Sequence, residues 1–199
     1  MHVPRYSRIR RRRRIRPRHR LRNTTALVVV VIITAWCIFA SRFLWFPRID
    51  HQPDHVDAIV QLGGPHGGIE AYEKTRRAAI GHTTNLVISD PYIDKPAFGA
   101  RLCAPEPGIT VYCVHPEPST TRGEARAIEA LVKEHGWTHV MVYATGKYHV
   151  ERTRMIIGRC TAGTVDVGYH NTPLTWEDHV WEWSYQTAGV MKMLTQTGC

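Results

Sequence analysis

The sequence predicts an α/β fold: a parallel sheet of four or five strands with helices on both faces, preceded by one transmembrane helix. Two observations carry this. Near the start, nineteen uncharged and mainly apolar residues run together, "NTTALVVVVIITAWCIFAS" at 23–41. Beyond residue 56, short apolar runs alternate with stretches of helical composition. Strand-helix alternation requires crossover connections, which make the strands parallel and cover both faces of the sheet.

The formal charge of +9 over 199 residues is unevenly placed. Residues 1–22 hold eleven arginines and no acid. Of the 26 basic residues that leaves 15 for the rest of the chain, against 17 acidic, so the body carries −2. The apolar run follows the arginines directly. At about 1.5 Å per residue it nearly spans a hydrocarbon core of roughly 30 Å. Arg42 interrupts it but can snorkel to the interface, Trp45 suits the headgroup belt, and Pro47 ends the segment. A cleaved signal would be shorter and would close on small residues, which "CIFASRF" does not offer.

These features divide the chain into a basic cytoplasmic tail (1–22), a transmembrane helix (23–46), a polar linker (47–56) and an α/β domain (57–199). The arginine asymmetry places the amino terminus in the cytoplasm and residues 48–199 outside, a single-pass cell-membrane topology. The tail suits anionic lipid headgroups. Tyr6 is its only aromatic, so no specific nucleic-acid partner is expected.

The elements of the domain follow in order. "DAIVQLGG" (57–64) is a buried-type strand ending in glycines, and "IEAYEKTRRAAIG" (69–81) a helix stopped by Gly81. "NLVIS" (85–89) and "ITVYCV" (109–114) are the second and third strands. "RGEARAIEALVKEHG" (122–136) is a helix with Ala127, Ala130 and Leu131 on one stripe and Gly136 as its stop. "HVMVYA" (139–144) is the fourth strand, followed by a helix over 148–158. "TVDVG" (164–168) is a fifth strand, and "WEDHVWEWSYQTAGVMKML" (176–194) a long terminal helix.

Cys37 falls in the apolar segment, while Cys103, Cys113, Cys160 and Cys199 fall in the domain. An oxidising exterior permits disulfides, and four cysteines allow three complete pairings. The Pro107-Gly108 turn makes Cys103–Cys113 the first choice. There is no CxxC pair, and His115, His149, His170 and His179 lack HxxxH or HExxH spacing, so no metal site is expected. No GxSxG elbow is present for serine chemistry.

Ligands of parallel sheets bind beyond the carboxyl ends of the strands. Three loops lie there. "LGGPHGG" (62–68) offers backbone N–H groups at Gly63 and Gly64 to an anion. "HPEPSTTRGEA" (115–125) begins a helix whose free N–H groups and positive dipole end favour negative charge, beside Ser119, Thr120 and Arg122. Thr121 and Glu124 have capping-box spacing. "YATGKYHVERTR" (143–154) gathers Lys147, His149, Arg152 and Arg154 where strand turns into helix. His149 and Arg152 share a face, against the dipole preference, which points to a bound negative group.

Taken together, "DAIVQLGG", "LVIS", "EPSTTRGEA" and "YATGKYHVERTR", in that order after one membrane span, resemble the YdcF/SanA/ElyC-type envelope proteins. The resemblance covers about residues 57–194, including Glu182 and Lys192. It implies a Rossmann-like domain and an envelope role tied to peptidoglycan and lipid-carrier supply. Its motif residues fall on Gly63, Gly64, Glu117, Ser119, Thr120, Thr121, Glu124, His149 and Arg152. The chain departs from the family pattern at Glu70, where Arg is frequent, at Asp90-Pro91 in place of two glycines, and at Gly146 and Thr153.

The expected function is binding of an anionic, phosphorylated or lipid-linked envelope precursor, with hydrolysis or transfer at phosphorus as the chemistry open to it. His149, whose ordinary pKa lies nearest neutrality, is the expected general acid or base. Gly63, Gly64, Ser119, Thr120, Thr121, Arg122, Glu124, Lys147 and Arg152 are the expected ligand-binding residues. No cofactor can be named. The alternative is a non-catalytic envelope factor that binds a protein partner through this pocket or through the aromatic terminal helix.

Overall fold

Five apolar runs form the strands β1 (Ala58–Gln61), β2 (Asn85–Ser89), β3 (Thr110–Val114), β4 (His139–Ala144) and β5 (Thr164–Tyr169). All pair in parallel, in the order β3-β2-β1-β4-β5. The computed structural model describes residues 17–64, 68–92, 94–196 and 198–199. The arginine tail up to residue 16, and Pro65, His66 and Gly67 of the glycine-rich loop, lie outside those residues.

Side-chain alternation along each strand builds two cores. Ala58, Val60, Val140, Val142 and Val87 pack with Ala125, Ile128 and Val132 of α4 (Thr121–His135) and Val150 and Ile157 of α5 (Val150–Cys160). Ile59, Leu86, Ile88, Met141 and Tyr143 face the other way, onto Tyr72 and Ala79 of α2 (Gly68–Ala79) and Leu102 of α3 (Pro96–Leu102). Each fully buried Ile or Leu contributes about 1.5–3 kcal/mol. The sheet is thus covered on both faces, as an unbroken apolar run such as Ala58–Val60 requires. The helix α3 is not legible in the sequence, because seven residues opening on a proline are too few to show a period.

α4 stops at Gly136, whose φ of 66° is open to a residue without Cβ, and whose N–H bonds Val132 O. The last helix, α6 (Trp176–Thr195), opens on a capping box between Thr175 and Asp178. Disulfides join Cys103 to Cys113 and Cys160 to Cys199. The second fastens the end of the chain to the end of α5. Closing loops of 10 and 39 residues restricts the unfolded chain by about 3 and about 4 kcal/mol.

The chain separates into two compact units, Met1–Ile38 and Phe39–Cys199. The helix α1 (Pro17–Ala40) runs on into a wide turn, Ser41–Trp45. Leu21–Trp45 is long and apolar enough to cross a membrane. Within the second unit, Leu44 is fully buried. Arg42, expected to snorkel, donates instead to Glu151 Oε1 at 2.6 Å, which also accepts from Arg48 N at 2.7 Å.

The segment read as a polar linker is docked along its length. Asp50 accepts from Val167 N and pairs with Arg154, Gln52 bonds Ala78 O, and Val56 is buried. Although burial works against it, these bonds from Val167 and Arg154 hold the Asp50 carboxyl below its usual range.

Thr153 is fully buried on α5, and its hydroxyl has no hydrogen-bond partner. An unpaired buried hydroxyl costs about 1–3 kcal/mol, so Thr153→Val, which keeps the shape, should raise unfolding stability by about 1 kcal/mol. Thermal melting of the full chain in detergent measures this; a lower melting temperature would mean that the hydroxyl is bonded.

Candidate functional site

The strand order turns back between β1 and β4, where Gln61 stands beside Tyr143. Chains leaving these strand ends diverge and open a crevice. A cavity of about 400 Å³ lies there. Gly63 and Gly64 line it after β1, Ser119 to Thr121 and Glu124 at the start of α4, and Thr145, His149 and Arg152 after β4. Trp181, Glu182, Tyr185 and Gln186 of α6 close the remaining side. Eight of the ten residues expected to bind or act therefore share one cavity. The glycines are needed for closeness: a Cβ on Gly64 would collide with Thr145, and one on Gly63 with Pro91.

Glu124 does not cap its helix. The N-cap is Thr120, whose hydroxyl accepts from Gly123 N at 3.2 Å, so the expected Thr121–Glu124 capping box is replaced by a cap one residue earlier. Glu124 turns inward instead. Its Oε1 accepts from Gly63 N and from Ser89 Oγ, both at 2.7 Å. Burial raises its pKa to about 7, against the opposing effect of those two bonds and of the Arg152 charge. With Oε1 holding two donors, the titrating proton belongs on Oε2.

Thr121, released from capping, meets His149. Its hydroxyl lies 3.1 Å from His149 Nε2, while His149 Nδ1 lies 3.0 Å from Thr145 Oγ1. Arg152 donates through Nη2 to His149 Nε2 at 3.0 Å and to Thr121 Oγ1 at 3.3 Å. A guanidinium can only donate, so Nε2 is the acceptor and Nδ1 carries the proton toward Thr145. Burial, and then the Arg152 charge, push the imidazole well below its ordinary pKa of 6.5. His149 is thus a neutral acceptor around pH 7. The expectation that it titrates near neutrality gives way to Glu124, because a buried imidazole beside a guanidinium cannot hold a second proton.

Arg152 itself is 9% exposed, and its Nε has no hydrogen-bond partner. Its guanidinium lies 5.2 Å from the ring centroid of Tyr185, and a side chain on Gly189 would run into it. The basic stretch 143–154 therefore divides three ways. His149 and Arg152 enter the cavity, and Arg154 pairs with Asp50. Lys147 leaves it, with Nζ 5.8 Å from the Phe46 ring, in a separate hollow of about 210 Å³ shared with Tyr148 and His179. Arg122 is half-buried and does not line the cavity, and Glu117 is exposed.

Ser89, Thr145 and Gln186 join the site unexpected, and Trp181 and Tyr185 of the aromatic terminal helix, expected only as a partner-binding face, line its cavity. Of the first three, only Ser89 had a signal, as a polar residue closing a buried strand. The four histidines weighed as metal ligands have separate partners: His115 bonds Asp90 O, His170 bonds Thr75, and His179 bonds Tyr148. Asp90, Cys113 and His115 bring donor atoms within 4.8 Å of one another, but the Cys113 sulfur is bonded to Cys103 and is no thiolate ligand.

The raised pKa of Glu124 has a definite sign. The folded state binds this proton more tightly than the unfolded chain, so the associated stability is present at acid pH and lost as pH rises from 4.5 to about 7. The loss amounts to about 3 kcal/mol. Glu124→Gln keeps an acceptor for Gly63 and Ser89 but cannot ionise. Its melting temperature relative to the parent should climb between pH 4.5 and 8; a constant difference would mean that Glu124 is ionised throughout. Comparison of the chain with known protein families, with curated proteins and with solved structures finds no match.

Proposed function

We propose that this chain is a membrane-anchored, extracytoplasmic envelope protein of the YdcF/SanA/ElyC type that holds an anionic, phosphorylated envelope precursor in the cavity at the β1–β4 crevice. One observation carries the reading: Arg152 is held in that cavity, nine-tenths buried, with its Nε unpartnered. A buried cation with an unused donor is stabilised by an anion that enters beside it. The free N–H groups at the start of α4 add to the same field. Glu124, whose pKa burial raises to about 7, admits negative charge and can give or take a proton there. Hydrolysis or transfer at phosphorus is the chemistry this arrangement serves, with His149 orienting Thr121 and Arg152 rather than titrating.

The exterior location draws on two further observations. Both disulfides lie in the unit Phe39–Cys199, as an oxidising compartment favours, and the arginines precede the apolar helix. The alternative, a non-catalytic envelope factor, draws on Trp176 and Trp181, which are 69% and 60% exposed on α6.

Arg152→Gln keeps a neutral donor for His149 while removing the charge. Binding of glycerol 1-phosphate to the full chain in detergent, measured by calorimetry, should weaken on the order of ten- to a hundredfold. Unchanged affinity would refute the anion site and favour the partner-binding alternative. A fluorescent reporter that matures only in the cytoplasm, fused after Cys199, should stay dark; fluorescence would place the domain inside the cell.

A further inference from the structure

Two aromatic rings stand at the cavity mouth although the core does not use them. Trp181 and Tyr185 lie one turn apart on α6, with ring centroids 6.1 Å apart and planes inclined by only 14°. They are 60% and 51% exposed. Both line the cavity, and Tyr185 carries the Arg152 guanidinium against its ring, so the platform adjoins the buried charge. Aromatic faces are negative and apolar, and they hold flat groups or C–H-rich faces that leave water.

The polar atoms beside the platform specify more. Gln186 is 2% exposed, and its Nε2 donates to Glu182 Oε2 at 2.8 Å. That bond turns Oε1 the other way, where it has no partner. An unpaired buried acceptor is relieved by a ligand that donates a hydrogen bond, and a fully ionised phosphate has none to give. The unpaired Nε of Arg152 requires an acceptor. The cavity therefore asks for three things in one molecule: a stacking face, a hydroxyl donor and anionic oxygens.

We propose that the cavity takes a glycosyl phosphate, with the sugar ring on Trp181 and Tyr185, a ring hydroxyl donating to Gln186, and phosphate oxygens accepting from Arg152. This rests on the anionic-ligand reading above and names its substrate class. A nucleobase also stacks, but it presents one donor edge, whereas a polyhydroxyl ring offers Gln186 a donor from several positions around the ring.

The test is calorimetric binding to the full chain in detergent. Glucose 1-phosphate should bind roughly tenfold more tightly than glycerol 1-phosphate, which carries the same charge without a ring. Trp181→Ala should erase that preference, bringing glucose 1-phosphate to the affinity of glycerol 1-phosphate in the same variant, and Trp181→Phe should retain much of it. Equal affinity for the two esters, a preference that survives Trp181→Ala, or tighter binding of uridine monophosphate would overturn the sugar assignment alone. If no phosphate ester binds but methyl glucoside does, in a Trp181-dependent way, the platform stands and the anion reading falls. Absence of binding by any of these probes removes both.

Discussion

Glu124 Oε1 accepts from Gly63 N at the end of β1 and from Ser89 Oγ at the end of β2, and the site depends on that one bridge. A carboxyl group taken out of water is costly unless its oxygens are met by donors. Here a backbone N–H and a hydroxyl meet it, and Arg152 supplies opposite charge. The bridge ties the first turn of α4 to two neighbouring strands at the sheet's carboxyl edge. It can form because Thr120 caps the helix and leaves Glu124 free. It also demands closeness at Gly63, where a larger residue would strike Pro91.

Around that bridge the charges are ordered rather than merely accumulated. His149 sits between two threonine hydroxyls and the Arg152 guanidinium, a setting in which only its neutral form is stable. Beside them, burial raises the Glu124 carboxyl to about 7. Burial drives the two shifted groups apart, the carboxyl upward and the imidazole downward, so Glu124 rather than His149 is the one placed to give or take a proton near pH 7.

The helix α5 has two separate duties. One side carries Arg152 into the cavity. The other holds the chain that leaves the apolar segment, through Glu151 with Arg42 and Arg48, and Arg154 with Asp50. These contacts fix residues 42–50 on the domain, so the site and the segment that follows the apolar helix are positioned by the same eleven residues.

The sequence by itself determined the succession of strands and helices apart from α3, the apolar amino-terminal helix and the carboxyl-edge location of the loops. These follow from local periodicity and from crossover geometry, which need no knowledge of distant contacts. It also made the Cys103–Cys113 pairing legible, through the turn between them. Only the tertiary structure decided which polar residue does what. Thr121 and Glu124 have the spacing of a capping box, yet Thr120 takes the cap and Glu124 accepts instead from Gly63 N and Ser89 Oγ, distant in the chain. His149 has an ordinary pKa near neutrality on paper, and a dehydrated place beside Arg152 removes it. Lys147 and Arg154 sit within a few residues of Arg152, but the first covers Phe46 and the second holds Asp50. Protonation states and pairings are set by dielectric and by neighbours far along the chain, and nearby sequence carries neither.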